Sequence, residues 1–505
     1  FGNAMLLSPH LRLVAAFNHQ HVFLDPTPDP AASVTERRRL FAAGRAWGAY
    51  DRAQLSAGGM IVERAAKRVP LSPEAQQLLG LASDACSGEA LVRAVLGIDA
   101  DVLWNGGIGT YVKAAAETAS AVGDPSNDAV RVDAEDVRAR IIVEGGNLGL
   151  TQAARVTLSL LGRLLNTDAI DNSAGVDCSD HEVNLKICLA PVVTAGAIDR
   201  AERDALLARV TPDVVADVLA HNRRQGRLLG LEVQRSRQRP DRIRALQQTL
   251  EQTAGLDRVA AGLPDAETVR ARHATAPGYT RPELAALVAR AKIHLQSTLL
   301  AGGLPDDPLV QPLLAAYFPA EVRARFAVAI GRHRLRREIV ATALANACVD
   351  RMGVVFAHEL AGATGAALAE VVRAWWIAWQ VADGTRLVDG IERADLGYEA
   401  DSAAALLLER ALNPITVWVL AHPQAVPRGA ADVTPWSTAL APLRAGLAQW
   451  LTANEAATHQ RQVTELEMSG LAPALARDLV ATTWVPTLLE LAQVAGGGGE
   501  AAPDR

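Results

Sequence analysis

Three clusters within the first 180 residues join glycine to asparagine, serine or carboxylate at spacings that suit nucleotide chemistry. The first is Gly2-Asn3, followed by Asp25. A dinucleotide site uses a glycine turn at a helix N-terminus for the pyrophosphate. It then needs an acidic residue about twenty positions on for the ribose hydroxyls. A carboxylate there accepts from the 2′-hydroxyl and repels a 2′-phosphate. The first basic residue after Asp25 is Arg37, too far along to clamp a phosphate, so the pattern favours NAD over NADP. The competing reading is that Asp25 only opens the Asp-Pro-Thr-Pro-Asp-Pro turn.

The second cluster is Glu144-Gly145-Gly146-Asn147-Leu148-Gly149-Leu150-Thr151. The third is Asp171-Asn172-Ser173-Ala174-Gly175-Val176-Asp177-Cys178-Ser179-Asp180. Glycine lets backbone approach a ligand closely, and asparagine offers both a donor and an acceptor. Ser179 is expected at the start of the helix that follows. There its hydroxyl and the free backbone amides would receive a carboxylate, or act as a plain N-cap.

Positioning these groups requires strands that end where the clusters begin. Residues 21–25, 101–104, 140–144 and 167–170 read as short apolar strands. They stop at Pro26, Asn105-Gly106-Gly107, Gly145-Gly146-Asn147 and Asp171-Asn172. Helical patterns at 89–96 and 152–165 lie between them. Alternating strand and helix predicts an α/β region over 1–196, with a Rossmann-like parallel sheet lacking its first strand. In open sheets of this class ligands bind at the carboxyl ends of the strands, where three asparagines would gather. From 197 to 495 long amphipathic helices take over, including 341–360 and 367–380. Thr280-Arg281-Pro282-Glu283 carries a capping-box pattern. Trp375, Trp376 and Trp379 sit at helical spacing and read as core. Residues 496–505 read as a disordered tail.

Half of the chain is apolar, 21% is charged and the net charge is −6. That is a globular composition without the basic excess that nucleic-acid binding needs. Arg37-Arg38-Arg39 reads as a solvated helix face. Cys86, Cys178, Cys188 and Cys348 form no CxxC pair, which predicts a reducing, cytoplasmic setting. No membrane span is expected, and the apolar stretch 183–198 reads as a buried helix. The chain opens on Phe1-Gly2-Asn3 without a methionine, as if inside a fold. No metal is expected either. Asp177, Cys178, Asp180, His181 and Glu182 crowd together, but no second ligand group stands at a recognisable spacing.

Glu144-Gly145-Gly146-Asn147 resembles the Glu-Gly-Ala-Asn motif of amino-acid dehydrogenases. Asn172-Ser173-Ala174-Gly175-Val176, with Ser179 three residues on, is similar to their Asn-Ala-Gly-Gly-Val-x-x-Ser. Phe1-Gly2-Asn3 with Leu6-Leu7-Ser8, Trp104-Asn105-Gly106-Gly107-Ile108-Gly109-Thr110-Tyr111, residues 171–182 and Thr280-Arg281-Pro282-Glu283-Leu284 resemble a narrower group. That group is the large bacterial NAD-specific glutamate dehydrogenases, in which a helical C-terminal region follows the catalytic one.

The resemblance implies that this is a C-terminal portion of a homo-oligomeric enzyme acting on glutamate and 2-oxoglutarate. It places Gly2 and Asn3 at the pyrophosphate and Asp25 at the adenosine ribose. Asn105, Gly106, Asn147 and Asn172 would serve the coenzyme, and Ser179 the side-chain carboxylate of glutamate. The family's catalytic lysine and aspartate fall outside the matching residues, so no catalytic residue is assigned. Ser173-Ala174 stands where Ala-Gly is commoner. Leucine and phenylalanine dehydrogenases share the fold, but an apolar substrate has no use for the Ser179 hydroxyl. A non-catalytic assembly or regulatory role for the chain is the alternative from another class.

Overall fold

Asn18 turns the chain between its first two strands. Its side-chain oxygen accepts from the backbone N–H groups of Gln20 and His21, both at 2.8 Å. Strand β1 (Ala15–Phe17) therefore folds back antiparallel on β2 (His21–Leu24), and β3 (Met60–Glu63) pairs antiparallel on the other edge. Val22 and Leu24 face one core while Phe23 faces Leu40, Trp47, Tyr50 and Ile61 on the opposite side. This is the period-two alternation of a strand covered on both faces. The expected strand at 21–25 is thus present, but it belongs to an antiparallel hairpin sheet and not to a parallel one.

The computed structural model describes residues 4–107, 109–274, 278–424, 440 and 446–497. Two compact units are formed, one from Phe1–Val176 and Arg258–Ala286, the other from Asp177–Asp257 and Leu287–Arg505. Helices do dominate after residue 196, yet packing divides the chain earlier than that change of texture and returns Arg258–Ala286 to the first unit.

In the first unit β4 (Val69–Pro70) and β5 (Ala85–Cys86) form a short antiparallel pair. β6 (Val102–Asn105) runs parallel to β9 (Ile141–Glu144), and β7 (Val112–Lys113) runs parallel to β8 (Val132–Asp133). The two strands expected at 101–104 and 140–144 are therefore neighbours, and parallel. The expected strand at 167–170 is instead a helical turn, Asp168–Asp171. Its strand-like pairing comes earlier, where Ile142 donates to the Leu164 carbonyl at 2.9 Å and Leu164 to the Arg140 carbonyl at 3.0 Å. Among the described residues the strands make four small sheets, compatible with an α/β enzyme fold within a mainly helical chain. They do not join into one continuous Rossmann-like sheet.

Arg37 overturns the reading of its arginine run as solvated. It is fully buried in the helix Pro30–Ala42 and donates to the carbonyls of Ser33 (3.1 Å), Leu6 (2.6 Å) and Leu11 (3.3 Å). Three backbone acceptors satisfy a guanidinium whose burial would otherwise be costly. Arg39 pairs with Glu36.

The second unit is helical. Helix Arg336–Met352 ends at Gly353 (φ +85°), and Phe356–Thr364 leaves it at 90°, so the single helix expected over 341–360 is broken. Glu232 fixes the break by accepting from the Val354 N–H at 3.0 Å. The tryptophans on helix Leu368–Val381 are core, as read: Trp375, Trp376 and Trp379 are all buried. Among the described residues, helix Tyr398–Ala421 is long and apolar enough to cross a membrane, and the bent pair Arg336–Met352 and Phe356–Thr364 passes only if taken together; 44% of the most apolar window of Tyr398–Ala421 is buried inside the structure. The last helix, Val485–Gly497, takes in the first two residues of the expected disordered tail. The rest of that tail lies outside the described residues.

Candidate functional site at the ends of two parallel strands

The pairing of β6 with β9 sets Asn105 opposite Glu144, so both strands deliver their glycine turns at the same edge. The Gly146 N–H donates to the Asn105 carbonyl at 3.1 Å, and the Asn105 side-chain oxygen accepts from the Gly107 N–H at 3.3 Å. Glycine is required for this contact. A β-carbon on Gly146 would stand 2.6 Å from the Gly107 carbonyl oxygen, and one on Gly149 only 2.0 Å from the Asn105 amide nitrogen. On Gly106 it would strike the Trp104 ring.

A buried ionic network holds the turn after β9. Glu144 accepts from Arg155 through both carboxylate oxygens (2.7 and 2.8 Å) and from the Leu150 N–H at 3.2 Å. Arg155 also pairs with Asp168 at 3.2 Å. Burial alone would lower the Arg155 pKa, but Glu144 and Asp168 outweigh it and hold the guanidinium charged. Asp168 accepts from the Leu148 N–H at 2.8 Å, which steadies Leu148 at φ +62°. That left-handed backbone is uncommon for a leucine. Asp171 accepts from the Glu144 N–H at 3.0 Å and from the Asn166 amide at 2.6 Å. The Asp168–Asp171 turn is thereby tied to the end of β9. At its end Asn172 donates from its amide to the Asn147 side-chain oxygen at 2.9 Å.

Of the residues singled out from the sequence, Asn105, Gly106, Asn147 and Asn172 thus lie at the ends of β6 and β9 or in the turn tied to β9. Gly2 and Asn3 lie outside the described residues. Asp25 is elsewhere, at the end of β2 and fully buried. One of its oxygens accepts from the Ser56 N–H at 3.1 Å and from the Ser56 hydroxyl. The other is buried without a hydrogen-bond partner. Ser179 is exposed and lies inside helix Ser173–Thr194, not at its start. The small residues 173–175 are helical, so the helix begins six residues earlier than expected.

Sequence reasoning missed Arg155, Asp168 and Asp171 as organisers of the turn, and no spacing signal announces them. It also missed His221, which donates or accepts through Nδ1 to Asp177 at 2.8 Å in the second unit.

A groove of about 1380 Å³ lies between β1 and β6, lined by Phe17, Arg64, Trp104, Asn105, Gly106 and Gly107 among others. It exceeds the ~300–1,000 Å³ common for small-molecule sites. Arg12, Arg64 and Arg140 line it together with Asp99 and Asp101, and the arginines could hold the phosphates of an extended dinucleotide.

The model for the catalytic domain of bacterial NAD-glutamate dehydrogenase matches residues 1–232, and that for the glutamate dehydrogenase C-terminal region matches 276–502. NAD-specific glutamate dehydrogenase of Pseudomonas aeruginosa is 40% identical over 99% of this chain and 31% of its own length. The protein of that name from Halomonas elongata is 40% identical over 98% of the chain and 31% of its own length. The one from Mycobacterium tuberculosis is 39% identical over 94% and 30%. The chain spans about a third of the length of the curated relatives it matches. Two family models that together leave out only residues 233–275 and the last three place it plainly: over this stretch the chain belongs to the bacterial NAD-specific glutamate dehydrogenase family.

Proposed function

We propose that the chain supplies the coenzyme side of an NAD-dependent oxidative deamination of L-glutamate to 2-oxoglutarate and ammonium. The observation that carries this reading is the Asn147–Asn172 pair, set beside the glycine turns at the carboxyl ends of two parallel strands. Side-chain amides placed there donate to and accept from a carboxamide, which orients a nicotinamide ring. When bound, the nicotinamide supplies the hydride acceptor. Ser179, exposed on its helix, offers a hydroxyl to the side-chain carboxylate that separates glutamate from apolar amino acids. Asp25 is kept for the ribose in this reading although it is fully buried beside Ser56, and Arg37, held by backbone carbonyls, is not offered to a 2′-phosphate, in line with NAD over NADP.

The lysine and aspartate that move protons in the imine step come, in this reading, from the part of the relatives that this chain does not span. The chain alone therefore turns over no glutamate. Trp104 lines the groove, so titrating the purified chain with NAD and NADP while following tryptophan fluorescence tests the assignment. Saturable quenching by NAD, weaker by NADP, with no glutamate turnover, is expected. Equal responses to the two coenzymes, or robust turnover, would overturn it.

A further inference from the structure

Asp177 and His181 stand four residues apart on helix Ser173–Thr194, which places them on one face. Helix Arg200–Gln238 brings His221 to the same point. One oxygen of Asp177 lies 2.8 Å from His221 Nδ1 and the other 3.8 Å from His181 Nε2. One donor atom from each residue lies within 4.8 Å of the other two.

The His181 ring is the unexplained group. It is 2% exposed, and both its nitrogens are buried with no hydrogen-bond partner. It stacks near-parallel with the rings of Tyr317 (4.5 Å) and His221 (6.2 Å). A buried imidazole with neither nitrogen satisfied is costly to fold. Such a group calls for a partner that the protein atoms do not supply.

We propose that Asp177, His181 and His221 form a binding site for a divalent transition-metal ion, zinc being the best fit, that cross-links the two helices. Two imidazole nitrogens and one carboxylate oxygen are the borderline donors that zinc takes, whereas calcium and magnesium prefer oxygen alone. Tetrahedral zinc holds its ligand atoms ~3.4 Å apart, so small side-chain rotations complete the set. The neighbouring candidates are committed elsewhere: Asp180 accepts from the Tyr317 hydroxyl at 2.7 Å, and Glu182 pairs with Lys186. Burial holds the His181 pKa below its ordinary value, so its ring is neutral at pH 7 and free to ligate. Burial also works against the Asp177 carboxylate, but His221 outweighs it and keeps that group ionised. The His221 side chain is 42% exposed and gives solvent, and an entering ion, access to the fourth position.

The test uses the whole chain, freed of any affinity tag and stripped with chelator, then titrated with Zn(II) and with Co(II). One equivalent should bind with micromolar or tighter affinity. Bound Co(II) should show the visible absorption of a nitrogen-oxygen site, and zinc should raise the unfolding temperature. His221→Gln and Asp177→Asn should each weaken binding at least tenfold while leaving the circular dichroism of the metal-free protein unchanged. The half-exposed position of His221 makes its variant the one expected to fold without difficulty. Absence of a stoichiometric Co(II) spectrum in the wild-type chain, or equal binding by the wild type and His221→Gln, would overturn the site. The residues would then be a carboxylate–imidazole pair beside a stacked core histidine.

Discussion

The Asn172 amide reaches across 25 residues of sequence to donate to the Asn147 side-chain oxygen at 2.9 Å. Charged side chains link the two segments that carry them. Asp171 ties the preceding turn to the Glu144 N–H, and Asp168 ties it to Leu148 and to Arg155. The two motifs that look separate in sequence are one structure, built where β6 and β9 end side by side.

Truncating either asparagine in the full-length enzyme should therefore weaken NAD binding by about three- to tenfold, the worth of a single neutral hydrogen bond. Because the two side chains bond to each other, Asn147→Ala and Asn172→Ala should not add. Isothermal titration of the two single variants and the double variant checks this. Fully additive losses would mean that the pair does not act as a unit toward the coenzyme.

Strand ends and single residues were far more legible than the assembly. The strand at 102–105, the Gly88–Leu96 helix and the Thr280 capping box could be read locally, because periodicity and cap chemistry act over a few residues. The box is present, with Thr280 donating from its N–H to Glu283 at 2.7 Å. Sheet membership could not be read that way. Whether β2 pairs parallel or antiparallel is decided by Asn18, whose side chain closes a hairpin three residues earlier. Gly353 broke a helix that looked continuous, because a positive φ leaves no trace in apolar spacing. Ser179 was misplaced for a related reason: a run of small residues reads as a turn, yet here it is the first turn of a helix. Buried charges such as Arg37 and Arg155 escaped notice because their partners come from distant segments.

Asp25 should prove to be an anchor as well as a ligand. Two hydrogen bonds from Ser56 reach its fully buried carboxyl group, and losing bonds to a buried carboxyl costs on the order of 1.5–3 kcal/mol. Urea unfolding of the chain should show Asp25→Ser less stable by about that amount. In the full-length enzyme the same change should weaken NAD binding and raise NADP use relative to NAD. Lower stability with unchanged NAD affinity would leave Asp25 only the role of holding Ser56.

His358 should make the second unit sensitive to acid. Burial, with a smaller contribution from His294, lowers its pKa from 6.5 to about 4. Both of its ring nitrogens are buried without a hydrogen-bond partner. A histidine depressed in the folded state charges more readily once unfolded. Its contribution is therefore intact above pH 6.5 and is lost as the pH falls toward about 4. The full span is worth about 3 kcal/mol. Urea midpoints measured across that range should fall more steeply for the wild type than for His358→Leu, which has no proton to take up. Parallel curves would show that His358 charges normally within the fold.

Ser179 carries the substrate assignment, and its place inside the helix changes how it must work. At a helix start the free amides would have shared the carboxylate with it; two turns in, the hydroxyl acts without them. Its contribution to binding glutamate should then be that of one charge-assisted hydrogen bond, about 1.5–3 kcal/mol. In the full-length enzyme Ser179→Ala should raise the KM for glutamate roughly tenfold or more and leave the KM for NAD within about twofold. Norvaline, which has the same chain length but no side-chain carboxylate, gains nothing from the hydroxyl. The preference for glutamate over norvaline should accordingly shrink by the same factor as kcat/KM for glutamate falls. Steady-state kinetics with both amino acids distinguishes this from a structural effect, which would depress both substrates alike. Unchanged glutamate kinetics would remove Ser179 from the substrate site and leave its exposed hydroxyl as an ordinary feature of the helix surface.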